Sequence, residues 1–274
     1  MKYSVFFEHI SRLAEENSIS LIEASELTGR MGYTCADISR SETEAPGVLK
    51  ACGMGVNSIY GFFDLGRSDD LSEAMLMIDR AAELRAAALI VPGFLDEADA
   101  AELKSRRNGN AVSDYLSSNP ETVRMRAALG KLSVYGTKAN VNVMIENFDS
   151  HTSPIERIEE IAWFLEGCPE LDYNLDTGNY AFADEDALDA ARRFLLRIRA
   201  VHLKDRRPGP GSGERTFNRG MGACAVGSGY IPIKRILEIV LPAHPDCSLS
   251  AEHFGANNWE CTLKESIAFI KSVT

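Results

Sequence analysis

Long apolar runs, paired cysteines, glycine-rich phosphate turns and an excess of positive charge are all missing from this sequence. No apolar run reaches the roughly 18 residues that a membrane helix needs, so no membrane partner is expected. The N-terminal stretch MKYSVFFEHISRLAEEN has a short apolar patch and then turns acidic. It lacks the long apolar centre and small-residue cleavage site of a secretory leader, and a cytoplasmic location is the expectation. The six cysteines (Cys35, Cys52, Cys168, Cys224, Cys247 and Cys261) are scattered with no CxxC pair. Reduced thiols, buried as small hydrophobes, are expected. The formal net charge is −11, which argues against nucleic acid, because duplex-binding surfaces are usually basic. An open dinucleotide-binding sheet carries a glycine-rich turn after its first strand. Here Phe7-Glu8-His9 follows the first strand, GMGV at 53–56 precedes a strand, and no P-loop is found.

What is present is a repeat of strand and helix. The chain has 274 residues, near the roughly 250 typical of an eight-fold β/α barrel. Strands are expected at Tyr3–Phe7, Thr34–Ser39, Val56–Phe63, Ala87–Val91, Val141–Ile145, Leu171–Leu175, Ile198–Leu203 and Cys247–Ala251. Between them the apolar spacing predicts helices over 8–30 (closed by Gly29), 45–53, Leu71–Leu84, 119–138, 153–166, Asp184–Arg197 and Pro232–Leu241, with Leu263–Val273 closing the chain. Asn119-Pro120 and the capping-box spacing Ser153-Pro154-Ile155-Glu156 mark two of the helix starts. Residues 94–118 and 205–230 read as loops. Strand–helix units of about 30 residues, with no linker between them, predict one α/β domain over 1–274, a single (β/α)8 TIM barrel.

Barrel chemistry sits at the carboxyl ends of the strands. Glu146, Asp176, His202 and Glu252 fall at the ends of four strands there. Three carboxylates and one imidazole suit one divalent ion such as Mn²⁺, Co²⁺, Zn²⁺ or Mg²⁺. Without a cation the carboxylates would repel and at least one would hold a proton. A bound dication can polarise a carbonyl and stabilise an enediolate.

The strings IEN at 145–147, DTGN at 176–179, HLKD at 202–205, VGSGYIP at 226–232 and AEHF at 251–254 resemble the xylose isomerase-like barrels. The resemblance is greatest to sugar phosphate isomerases and epimerases of the tagatose-epimerase-like and hydroxypyruvate-isomerase-like kinds. It implies that Glu146, Asp176, His202 and Glu252 bind one divalent metal. It also implies that Glu146 and Glu252 are the catalytic acid/base pair on either face of the substrate. The implied activity is isomerisation or epimerisation of a sugar, sugar phosphate or keto-acid through an enediolate. The alternatives on the same barrel are a metal-dependent dehydratase or lyase of an inositol- or shikimate-like compound, more remotely an AP-endonuclease-like DNA-repair enzyme, and a non-catalytic binding module. The partner is then a small carbohydrate or keto-acid, anionic in one reading, with a homo-oligomer as an open alternative. Two residues depart from the family pattern. Asn179 stands where many relatives have histidine, and Phe148 where a polar residue is frequent. Both weigh against a typical free-sugar specificity.

Further residues have two readings each. Lys204 alternates to the side of His202 and either reaches substrate or makes a rim ion pair. Asn179 can bond a substrate hydroxyl. Arg206, Arg207, Arg215 and Arg219, with Arg106 and Arg107 after the fourth strand, either recruit an anionic substrate or are solvated. Gly227 and Gly229 either offer amides to a phosphate or only turn the chain. Asp37 either contacts substrate or caps its strand. His9 and Trp259 line the pocket or pack beside it, and His253 should point away from it. His151 and His244 read as loop residues.

Overall fold

Each barrel strand overlaps one of the eight expected strands. The computed structural model describes residues 1–207 and 222–274; Arg215 and Arg219 lie outside the described residues. The elements are β1 (Tyr3–Phe6), α1 (Phe7–Asn17), α2 (Leu21–Met31), β2 (Cys35–Ser39), α3 (Ala45–Ala51), β3 (Gly55–Phe62), α4 (Ser72–Leu84), β4 (Ala87–Val91), α5 (Glu97–Ser105), α6 (Gly109–Ser118) and α7 (Pro120–Lys138). They continue with β5 (Val143–Glu146), α8 (Ile158–Gly167), β6 (Asp172–Asp176), α9 (Ala187–Arg193), β7 (Ile198–Leu203), β8 (Asp205–Arg207), β9 (Gly222–Cys224), α10 (Ile233–Ala243), β10 (Ser248–Ala251) and α11 (Trp259–Val273). Eight strands close a parallel barrel in the order β1-β10-β7-β6-β5-β4-β3-β2. The fold is a (β/α)8 TIM barrel, as expected.

The outward strand residues and the helices share the main core, where Ile38, Leu49, Ile59, Ile78 and Phe164 have no measurable exposure. Inside the barrel the packing is mixed. Leu89, Met144 and Ala200 form a small apolar cluster separate from that core. Beside it Asp37 accepts hydrogen bonds from the hydroxyls of Ser4 (2.7 Å), Ser58 (2.5 Å) and Ser250 and from Asn57 Nδ2 (2.8 Å). Four strands thereby meet at one carboxylate. All six cysteines are free thiols; Cys35, Cys168, Cys224 and Cys247 are buried, while Cys261 is exposed. Among the described residues no helix is long and apolar enough to cross a membrane.

Several boundaries differ from expectation, for local reasons. Residues 8–30 are two helices, not one. Ser18 adopts a left-handed φ of 52°, and Ser20 and Glu23 form a reciprocal capping box that restarts the chain. The terminator is Gly32 (φ 116°), not Gly29. Residues 94–118 carry α5 and α6, capped by Asp96 and Asn108. α5 buries only Ala100 and Leu103, too little to show an apolar stripe. α8 starts at Ile158 instead of Pro154, because the buried Glu160 carboxylate accepts the amides of Glu156 (2.8 Å) and Arg157 (3.0 Å) from within the helix. The expected helix Asp184–Arg197 shrinks to α9, preceded by Asp184 at φ 57° and capped by Asp186. In the expected loop 205–230, β8 and β9 pair as an antiparallel ribbon.

Glu185, before α9, accepts the Ile158 amide at 2.6 Å. Burial, the largest influence, pushes its carboxyl up to about 7. The folded state therefore holds this proton more tightly than the unfolded chain. The resulting stability is fully present below about pH 4.5 and is lost as pH rises through about 7. Glu185→Gln keeps an acceptor for Ile158 and removes the charge. The variant is expected to melt higher than the parent at pH 8, by an amount worth about 2–3 kcal/mol, with the gap closing near pH 4.5. Thermal melts at the two pH values check this, and an equal gap at both would contradict it.

Candidate metal centre

Glu146 ends β5, Asp176 ends β6, His202 is the penultimate residue of β7, and Glu252 directly follows β10. Parallel register sets Asp176 beside His202, and His202 beside Ser250, two residues before Glu252. The four side chains consequently converge at the carboxyl end of the barrel. His202 Nδ1 lies 2.9 Å from Glu146 Oε2 and 3.2 Å from Glu252 Oε2. One donor atom from each of Glu146, Asp176 and His202 lies within 4.8 Å of the others. All four residues are buried.

The donor set is held in place from behind. Asp176 Oδ1 accepts the amides of Gly178 (2.8 Å) and Asn179 (2.7 Å). Asn147 accepts at Oδ1 from Tyr173 (2.6 Å) and from the Asp176 amide (3.0 Å), and its Nδ2 donates to the Asp176 carbonyl (3.0 Å). Thr177 donates its amide to the His202 carbonyl (3.0 Å) and accepts the Lys204 amide at its hydroxyl (3.0 Å). A Cβ at Gly178 would lie 2.7 Å from the Lys204 carbonyl, so the close approach of β7 requires glycine there. Glu146 Oε2 accepts from Asn174 Nδ2 at 3.0 Å.

Among the described residues, the buried atoms without a hydrogen-bond partner include Asp176 Oδ2 and His202 Nδ1 at the centre. The imidazole nitrogen lies near two carboxylates without the geometry of a hydrogen bond to either. Burial first, then the Glu252 carboxylate, push Asp176 well above the usual carboxylate range. Burial opposes charge on His202, but Glu146 and Glu252 outweigh it and raise the imidazole. Crowded carboxylates with orphaned oxygen and nitrogen donors fit a divalent ion of the Mn²⁺, Co²⁺, Zn²⁺ or Mg²⁺ type.

Beside this centre a cavity of about 330 Å³ opens, and Glu146, Glu252, Lys204, Asn179 and Asp149 line its polar end. Lys204 Nζ donates to Glu252 Oε1 (2.7 Å) and to Asn179 Oδ1 (2.7 Å). Burial opposes its charge, but Glu252, Asp176 and Asp149 together raise its pKa. Asn179 also donates to the Asn147 carbonyl (2.9 Å).

The remaining expected contacts are placed elsewhere. Asp37 sits among the barrel-floor hydroxyls, its oxygens already taken. Arg206 borders the pocket but does not line it; it donates to the Gly178 carbonyl (2.8 Å) and to Asp149 (2.8 Å) and stacks on Phe182 at 4.4 Å. Arg207 is exposed and bonds Ser228 (3.0 Å). Arg106 pairs with Glu102 at 2.6 Å, and Arg107 is exposed, both at the end of α5. The Gly227 and Gly229 amides donate to Asp205 Oδ2 (2.9 and 2.8 Å) and are unavailable to a phosphate. His9 packs between Phe254 and Trp259 (4.8 and 4.9 Å between ring centroids) and accepts the His253 amide at 2.8 Å, which steadies the backbone after Glu252.

Residues not singled out from the sequence complete the pocket: Glu8, Phe6, Tyr60, Phe62, Leu89, Val91, Asp149 and Phe254. Period-two alternation was the available signal, since Tyr60/Phe62 and Leu89/Val91 are spaced to face inward. A larger hollow of about 590 Å³, lined by Lys2, Asn57, Arg85 and Arg199 among others, lies away from these strand ends and includes none of the four converging residues.

Solved structures share the fold. A probable 3-DHS dehydratase, AsbF, from Bacillus anthracis is 16% identical over 99% of both chains, with a TM-score of 0.68. A D-allulose 3-epimerase from Methylomonas sp., in complex with D-allulose, is 12% identical over 100% of this chain and 97% of the other, with a TM-score of 0.69. The IolI protein with a bound zinc atom is 14% identical over 100% and 96%, with a TM-score of 0.69. No curated protein matches the chain significantly. The sequence profile of one family matches residues 50–273, a span that includes all four converging residues, and the chain belongs to the xylose isomerase-like TIM barrels.

Proposed function

We propose that this protein is a divalent-metal-dependent isomerase or epimerase of a small hydroxy-carbonyl compound, a carbohydrate or keto-acid, acting by proton transfer through an enediolate. The observation that carries this reading is the convergence of Glu146 and Glu252 on His202 Nδ1, at 2.9 and 3.2 Å, beside one cavity. Glu146, Asp176, His202 and Glu252 would hold the ion. When bound, the dication would polarise the substrate carbonyl and offset charge developing on its oxygen. One glutamate removes the proton from the carbon beside the carbonyl and the other returns a proton. Return to the opposite face inverts that carbon; return to the neighbouring carbon exchanges aldose and ketose. Lys204, 2.7 Å from Glu252 and from Asn179, keeps the Glu252 carboxylate oriented and can bond a substrate oxygen.

A second reading is supported by the same lysine. Beside the base, its ammonium is placed to hand a proton to a departing hydroxyl, which would make the reaction a dehydration. The fold likeness to a probable dehydratase is compatible with it.

The test is metal analysis followed by incubation with ketoses, hydroxypyruvate and keto-inositols in D₂O. Deuterium uptake beside the carbonyl is expected for both readings; loss of water and an unsaturated product mark the second. Metal-loaded protein that exchanges no proton in any of these compounds would overturn the proposal.

A further inference from the structure

The pocket has two unlike ends. Glu146, Glu252 and Lys204 stand at one. The other is built by Tyr60 and Phe62 at the end of β3, Leu89 and Val91 on β4, and Phe148 just after β5. These strands are neighbours in the barrel, so the apolar side chains form one continuous wall. Phe148 meets Phe62 edge-on at 5.4 Å and Phe94 at 5.7 Å. Phe62 remains 46% exposed and Phe254, across the mouth, 39%. Large aromatic surface left open inside a cleft marks a place where something apolar binds.

The wall is poorly suited to a polyol. Each hydroxyl buried against it would need a hydrogen-bond partner to replace water. Among the described residues lining this end, only the side chains of Tyr60 and Glu8 could supply one. A flat ring needs no such partner and gains from edge and face contacts with phenylalanine.

Resting on the proton-transfer reading above, we infer that the substrate is an α-hydroxycarbonyl compound carrying an aromatic or unsaturated ring, seated on Phe62 and Phe148, and not an open-chain polyol. Its oxygens lie toward Glu146, Glu252 and Lys204. Its ring lies over the β3–β4 wall.

Two measurements on the metal-loaded protein test this separately from the chemistry. In binding, benzohydroxamate is expected to be held at least about tenfold more tightly than acetohydroxamate, the scale on which an apolar pocket discriminates. Phe62→Asn, at a position that is 46% exposed, should reduce that ratio to within about threefold, with the melting temperature as a control for folding. Phe148→Asn should do the same. In D₂O, 2-hydroxyacetophenone should exchange its carbon-bound proton at least about tenfold faster, as kcat/KM, than dihydroxyacetone or D-fructose. Equal affinity for the two hydroxamates, or a ratio unchanged in both variants, would overturn the inference. A preference for benzohydroxamate with no exchange of any ketone would leave the ring site standing and sink the proton-transfer reading instead.

Discussion

Glu252→Gln is expected to lower proton exchange about 10³-fold while the protein stays folded, since a positioned acid or base contributes roughly 10²–10⁴. Glutamine fills the same volume and can still accept from Lys204 and offer an oxygen toward the metal centre, but it cannot take up a proton. Lys204 Nζ would keep Asn179 Oδ1 at 2.7 Å and Asp149 at 3.4 Å, so the substitution does not strand a buried ammonium. The measurement is the exchange rate in D₂O at matched metal content, with the melting temperature as a control for folding. A rate within about threefold of the parent, with metal bound, would remove Glu252 from the chemistry.

The largest expected loss of stability lies outside the pocket, at Glu160. This carboxylate has no exposure and accepts from Lys104 Nζ (2.9 and 3.0 Å), from Arg157 Nε (2.7 Å) and from the amides of Glu156 and Arg157. Lys104 comes from the end of α5, and Arg157 donates in turn to the carbonyls of Leu103 and Arg106 (both 2.9 Å). The group therefore ties the α5 end to the start of α8. Glu160→Ala removes one member of a buried charge network, leaving Arg157, among the described residues, with backbone carbonyls and no carboxylate partner, and Lys104 with Glu156 as its one carboxylate. That costs about 3–5 kcal/mol, or a fall of roughly 10 °C in melting temperature at this chain length. Glu160→Gln should fall between, because it keeps an acceptor and loses the charge. A shift under about 2 °C for alanine would show that Glu156, 2.9 Å from Lys104, suffices without it.

Much of this architecture is legible in the amino-acid order, and the illegible parts have physical reasons. The barrel strands stand out because they are short runs with buried aliphatic and aromatic residues between helices, even where Asp37, Asn57, Ser58, Asn174 and Ser250 interrupt them. Glu146 and Asp176, which end β5 and β6, and His202, next to the end of β7, stand out because each follows apolar residues where the strand gives way to a loop. Asn147 and Thr177 are harder to assign, because what they do depends on which strand end lies alongside. The two helices in 94–118 are held by caps and by Leu103 and Leu116, not by a broad apolar face, and so escape a search for helical periodicity. Asp37 misleads in the opposite sense. A strand-end aspartate looks available until the pleat is known, and in the folded barrel Ser4, Asn57, Ser58 and Ser250 already surround it. Gly227 and Gly229 suggest an anion cradle only while Asp205, the carboxylate that occupies their amides, is thought to lie elsewhere.

The setting of Asp37 also orders events in time. Ser4, Asn57 and Ser58 are made within a few dozen residues of it, but Ser250 follows 213 residues later. A nascent chain that has built seven barrel strands still has an open seam between β1 and β7, with unpaired backbone groups along both edges. It also has an acidic group one donor short at that seam. The arrival of β10 repairs both together. Closure of the barrel therefore waits on β10, which pairs with β1 on one side and β7 on the other.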